Sequence, residues 1–120
     1  MLEETVEEWV LQNFALLGFE KLVRPVRSKY RTKQGNKSEF GDCRGFKNGK
    51  WLRVEIETTT SGYFIHSQKV RNYIDVIVCV LYSTPKLQWK KEELKRKEII
   101  ELWKFKDFRD FCYSQEWRGK

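Results

Sequence analysis

The dipeptide Asn48-Gly49 lies between two runs with the composition of half-buried strands, residues 40–47 and 50–59. Asn-Gly accommodates the positive φ angles of a two-residue hairpin turn, so it predicts both that the runs pair antiparallel and how they pair. Lys47 then faces Lys50. Counting back, Phe46 faces Trp51, Arg44 faces Arg53, and Asp42 faces Glu55. Directly opposed residues share one face of a sheet, and strand alternation adds Glu57 to that face. The other face takes Cys43 and Gly45 against Leu52, Val54 and Ile56, and is the expected core face.

This register gathers three carboxylates into one patch, with opposed Cβ atoms about 5 Å apart. Like charges placed in this way destabilise a sheet unless something offsets them. A hard divalent cation with oxygen ligands is one solution, and Mg²⁺ typically takes one or two carboxylates plus water and phosphate. Neutralisation by Arg44 and Arg53 along the same face is the other, and the hairpin alone leaves both open. A further acid comes from residues 3–17, which read as a helix from the spacing of Val6, Trp9, Val10, Phe14 and Leu17. Thr5 and Glu8 match a capping box, and Gly18 stops the helix. Glu7 has Val10, Leu11 and Phe14 as its helical neighbours, which directs its carboxylate toward the protein body. Interior carboxylates need a partner or a metal.

Residues 19–30 read as a strand that Pro25 confines to an edge or makes irregular. Residues 31–38 are a polar, basic loop with a Gly35-Asn36 turn signal. Thr58 to Ser61 end the second hairpin strand in hydroxyl side chains, suited to phosphate or simply to a strand end. A short helix is expected over residues 65–72. The nearly all-apolar run 73–82 is expected to be a strand covered on both faces, which makes a parallel crossover unit with the hairpin. Beyond Pro85 a charged stretch, residues 89–97, precedes a short strand over 99–105 and a terminal helix over 106–114. The fold class is α/β: a central mixed sheet, antiparallel hairpin 40–59 plus parallel strand 73–82, flanked by helices.

The 120 residues suffice for one domain with one core, and 40% apolar with 34% charged residues describes a folded chain. Aromatics reach 15%, which is expected mainly to supplement a small core. Formal net charge is +7. Residues 1–20 carry five acids and no base, whereas residues 21–37 carry seven bases and no acid. Segregation of this kind suits a polyanion, because neutralised phosphates release counterions. Cys43, Cys79 and Cys112 lack metal-ligand spacing and are expected as thiols in a reducing compartment. A single histidine argues against zinc. No signal peptide is evident, and the longest apolar run, residues 76–82, is too short for a bilayer, so an intracellular, cytoplasmic protein is expected.

Val6-Glu7, Gly18-Phe19, the basic loop, Gly41-Asp42, Lys47-Asn48-Gly49 and Val54-Glu55-Ile56-Glu57-Thr58 together resemble the PD-(D/E)xK nuclease superfamily over residues 5–82, with the nearest likeness to archaeal Holliday junction resolvases. The resemblance implies a restriction-endonuclease-like fold. It also implies a DNA endonuclease that uses Mg²⁺ or Mn²⁺ and cuts phosphodiester bonds, with junction-type DNA as a candidate substrate and a homodimer as a candidate assembly. Asp42 and Glu55 would bind the metal, and Glu7 would complete the site. Glu57 occupies the family's Lys position, giving ExE for ExK, and would orient or deprotonate water or help hold a second metal. Gly41 replaces the motif's Pro. Arg24, Arg27, Lys29, Arg31, Lys33 and Lys37 would follow the DNA backbone. Gln68 and Lys69 fall where some relatives carry another active-site Gln or Lys, with a solvent-facing role as the plainer alternative. His66, the lone histidine, could serve as a base, with a surface or capping role as the stronger expectation. The missing Lys keeps two rivals in view: a catalytically degenerate DNA-binding module of the same fold, and a small α/β interaction protein.

Overall fold

A computed structural model describes residues 2–24 and 43–118, with residues 116–118 described by backbone alone. The chain opens with helix α1, Glu3–Gln12, followed by a 3₁₀ turn, Phe14–Leu17. Gly18 ends this unit at φ 92°, a left-handed conformation that glycine adopts without steric cost. Strands β1 (Lys21–Val23), β2 (Cys43–Lys47) and β3 (Lys50–Thr59) follow. A crossover made of α2 (Thr60–Tyr63) and α3 (Gln68–Tyr73) leads to β4 (Val76–Leu81). Helix α4 (Gln88–Lys95), β5 (Glu98–Glu101), a 3₁₀ turn (Leu102–Lys104) and α5 (Lys106–Arg118) complete the order.

The five strands form one mixed sheet in the order β1-β2-β3-β4-β5. β1, β2 and β3 run antiparallel to their neighbours, while β3, β4 and β5 run parallel. Asn48 and Gly49 both take positive φ, as the hairpin turn requires. Lys47↔Lys50, Phe46↔Trp51, Arg44↔Arg53 and Cys43↔Val54 pair as the turn predicts. The next pair would be Asp42 and Glu55, and Asp42 lies outside the described residues, as do Arg27, Lys29, Arg31, Lys33, Lys37 and the expected 31–38 loop.

The main core lies between the sheet and helices α1 and α5. Val6, Trp9, Val10, Phe19, Leu22, Cys43, Val54, Ile56, Val76, Val78, Leu102 and Phe108 fill it. Trp9 meets Phe108 edge-on at 5.0 Å between ring centroids, a favoured aromatic geometry. Gly45 is needed in this layer, because a Cβ there would lie 2.6 Å from the Phe19 ring. Alternation sends Ile77 to the opposite face, where a smaller cluster with Tyr63, Ile74 and Leu94 seats the crossover and α4.

Three local expectations are corrected. Helix α1 begins at Glu3 with Leu2 as its cap and no side-chain capping bond, so Thr5 stands inside the first turn and the Thr5–Glu8 box does not form. The expected helix over 3–17 also divides at Asn13, whose side-chain amide donates to the Trp9 carbonyl at 2.8 Å and competes with continuation of the α-helical ladder. The expected short strand over 99–105 is real but ends at Glu101, where the 3₁₀ turn begins.

Candidate metal centre

β3 lies between β2 and β4 and is covered on both faces, so its alternation buries polar side chains as well as apolar ones. Val54 and Ile56 enter the main core, while Glu55 and Glu57 turn to the crossover side at 3% and 7% exposure. Two carboxylates so buried and so close require a counter-charge.

His66 supplies it. Its Nε2 lies 2.8 Å from Glu55 Oε1 and 3.2 Å from Glu57 Oε1. The hydrogen bond to Glu55, then that to Glu57, raises the imidazole pKa to about 10 against the opposing effect of burial. The ring is therefore an imidazolium at neutral pH, donating between two acceptors. Arg44 is exposed, and the Arg53 guanidinium stands 5.7 Å from the centre of the Tyr73 ring.

The crossover brings His66 back over β3. α2 starts immediately after the strand, and the turn beyond it closes through Phe64 N–H to Ser61 O, Ile65 N–H to Gly62 O and His66 N–H to Tyr63 O. Ser67 then caps α3, accepting from the Val70 N–H at 3.3 Å. Arg71 fixes the turn from behind: its guanidinium donates to the His66 carbonyl at 2.6 Å and to Glu93 at 2.9 Å. The Tyr63 hydroxyl donates to the same Glu93 carboxylate at 2.5 Å. Arg71 also lies 5.7 and 5.5 Å from the Phe64 and Trp89 ring centres, a cation–π setting that offsets part of its burial. Gly62 completes the packing, because a Cβ there would collide with the Glu57 carboxylate.

Glu55, Glu57 and His66 each offer a ligand atom within 4.8 Å of the others. Octahedral coordination at about 2.1 Å puts neighbouring ligands about 3 Å apart, and the 2.8 and 3.2 Å separations match that edge. Carboxylate oxygens suit Mg²⁺ and Mn²⁺, and imidazole nitrogen is acceptable to transition metals. The residues present therefore fit a divalent cation once it displaces the Nε2 proton of His66, whose nitrogen has no lone pair to offer while protonated.

Glu7 is buried at 4% exposure, as its helical neighbours predict, but its Oε1 pairs with Arg24 Nε at 2.8 Å and it is not a member of the three-residue cluster. Arg24, expected on the DNA path, thus also serves as the partner of Glu7. Gln68 and Lys69 are exposed on α3 and also stand apart from the cluster. The strand-end hydroxyls are largely engaged within the protein. Thr59 and Ser61 bond to each other at 2.6 Å, and Thr60 both donates to the Ser83 carbonyl and accepts its N–H, tying the end of β3 to the chain after β4. Cys43 and Cys79 are buried thiols, and burial pushes the Cys79 pKa up to about 12, which makes it a poor nucleophile.

His66 is the residue whose role the sequence pattern misplaced. The available signal was the short return after β3: so few residues between a strand end and the next helix must fold back over the strand's own face.

The chain is thus an α/β protein whose mixed sheet carries two buried glutamates joined by a part-exposed histidine. No family model, curated protein or solved structure matches it. Among the described residues no helix is long and apolar enough to cross a membrane.

Proposed function

We propose that the chain is a metal-dependent DNA endonuclease with a restriction-endonuclease-like fold. The observation that carries the reading is the convergence of Glu55, Glu57 and His66 on one point of a sheet whose hairpin is in step up to Cys43↔Val54. One more step of that ladder would oppose Asp42 to Glu55 and supply the oxygen ligand from the second strand. Mg²⁺ or Mn²⁺ held there would supply positive charge to a phosphate and acidify water.

The chain's own residues do the rest. Asp42 and Glu55 hold the cation. Glu57, fixed against Gly62, accepts the proton of the attacking water. His66 faces the same point and takes part in proton transfer or in ligation. The bases of residues 21–37 follow the DNA backbone without reading sequence. A second copy would let two such centres address a four-way junction.

The test is cleavage of supercoiled plasmid and of branched and linear DNAs with Mg²⁺ or Mn²⁺. Parent protein should nick DNA, and Glu55→Ala should bind DNA without nicking it. Equal cleavage by parent and Glu55→Ala would remove the site from the reaction.

One observation favours a second reading. The His66 imidazolium already bridges Glu55 and Glu57 and offsets one of their two charges, which lowers the repulsion a non-cleaving relative must tolerate. In that reading the chain is a DNA-binding module of the same fold. DNA binding that falls steeply with salt, together with neither cation binding nor cleavage, would select it.

A further inference from the structure

We infer that a cleft beside the metal centre is a phosphate subsite for the nucleic-acid strand that flanks the scissile bond. Ser61, Phe64, Ser83, Pro85, Lys86 and Lys90 define it, with Leu87 on the rim, and it encloses about 190 Å³. The inference rests on the endonuclease reading for the identity of the strand.

The position is the first argument. Phe64 and Lys90 belong to the crossover and α4, which pack on the sheet face that carries Ile77. Glu55 pairs in register with Ile77 across the parallel β3–β4 ladder and turns to that same face. Ser61 lies in the cleft wall, and the next residue, Gly62, is the one whose backbone abuts the Glu57 carboxylate. Phe64, also in the wall, is two residues from His66. The cleft and the metal centre thus both draw on the turn over residues 61–66.

The second argument is chemical. Lys86 and Lys90 line the cleft and no acid does. The Lys90 ammonium is held 5.0 Å from the Phe64 ring centre and 5.6 Å from the Trp89 ring centre, so it is placed before any ligand arrives. Ser83 adds a hydroxyl beside that of Ser61, which is already bonded to Thr59, while Pro85, Phe64 and Leu87 give the apolar wall that a sugar needs. Size selects among anions: pockets for whole small molecules run from about 300 Å³ upward. The cleft takes a phosphate with part of its sugar, not a free nucleotide cofactor. Backbone phosphates present that group at regular intervals, so a strand bound at Glu55 and Glu57 has a neighbouring phosphate to offer.

The test measures binding of a fluorescein-labelled oligothymidylate by anisotropy in EDTA over a range of salt, and binding of Mn²⁺ by calorimetry. The double variant Lys86→Ala/Lys90→Ala should bind the oligonucleotide about tenfold more weakly and lower the salt slope by roughly 0.7, the value for one phosphate that is no longer neutralised. Its Mn²⁺ affinity should equal that of the parent. Lys86→Glu, at an exposed position, should also weaken the oligonucleotide and leave the Phe64–Trp89 packing intact. Parent-like affinity and slope in both variants would overturn the cleft assignment, while loss of Mn²⁺ in Glu55→Gln would still support the metal centre. Weakened oligonucleotide binding in both variants of a protein that binds no Mn²⁺ would uphold the cleft and overturn the endonuclease reading.

Discussion

His66 Nε2 stands 2.8 Å from Glu55 Oε1, so the chain's lone histidine is bonded to a carboxylate eleven residues earlier on the central part of β3. The same nitrogen reaches Glu57 at 3.2 Å. The cluster is therefore an ion-paired unit before any cation arrives, and its own charge balance sets how the protein responds to pH, mutation and metal.

Stability should fall with rising pH through this group. The folded imidazole has its pKa raised from 6.5 to about 10. Its contribution is fully present below the unfolded value, declines as pH rises above it, and is gone once pH passes about 10. Urea midpoints of parent and His66→Gln should differ most below neutrality and converge in strong alkali. A constant gap across that range would mean that the imidazole does not titrate in the folded state as described. At neutral pH the substitution should cost on the order of 1–3 kcal/mol, less than a fully buried pair, because water screens the one-third-exposed histidine.

Removing a carboxylate breaks the same unit from its other side, and its larger effect should be on function. Asp42→Ala, Glu55→Gln and Glu57→Gln should each lower Mn²⁺-dependent cleavage by more than the ~100-fold that loss of an outer-sphere partner produces. EDTA should reproduce the loss in the parent. DNA binding measured in EDTA should change little, and a comparable fall in binding would indicate that the acids act on the fold instead.

Gly62→Ala separates stability from site geometry. The added Cβ meets the Glu57 carboxylate, the movable end of a side chain, and the glycine is not held at positive φ. Alanine should recover up to about 1 kcal/mol of helix propensity in α2. The melting temperature should change little, because the propensity gain offsets strain on the Glu57–His66 bond, while Mn²⁺ affinity falls about tenfold, the loss typical of disturbing ligand support. Unchanged affinity would show that Glu57 is not a ligand.

Arg71→Ala should be among the more damaging single changes in the crossover. It leaves Glu93 without its guanidinium at a site where the Glu93 side chain is 14% exposed, and it frees the His66 carbonyl. Breaking a buried pair in this way costs about 3–5 kcal/mol. Arg71→Lys retains the charge but not the fork that spans two acceptors, so it should recover part of the stability while amide exchange over residues 64–67 stays elevated. Equal protection of those amides in parent and Arg71→Lys would argue that the clamp does not hold the turn.

The sequence by itself determined what short-range rules govern. Asn48-Gly49 set the hairpin register down to Cys43↔Val54, since a two-residue turn leaves no freedom in the count. The apolar run beyond the crossover became β4, with neighbours on both edges, because only a strand covered on both faces has use for so many consecutive branched side chains. The shared face of Glu55 and Glu57 followed from alternation, whereas their burial came from the tertiary structure. Propensity was weaker at element ends: the competing bond from Asn13 divided the first helix, and the capping box lost to an earlier start.

Only the tertiary structure decided what neutralises the two glutamates and where Glu7 turns. Register cannot say which loop passes over a strand; that depends on how Tyr63 and Leu94 seat the crossover on Ile77 and how Arg71 ties its turn to Glu93. Those interactions join residues ten to forty positions apart. Local sequence pattern fixes the direction of a side chain, and packing between distant elements fixes what it meets.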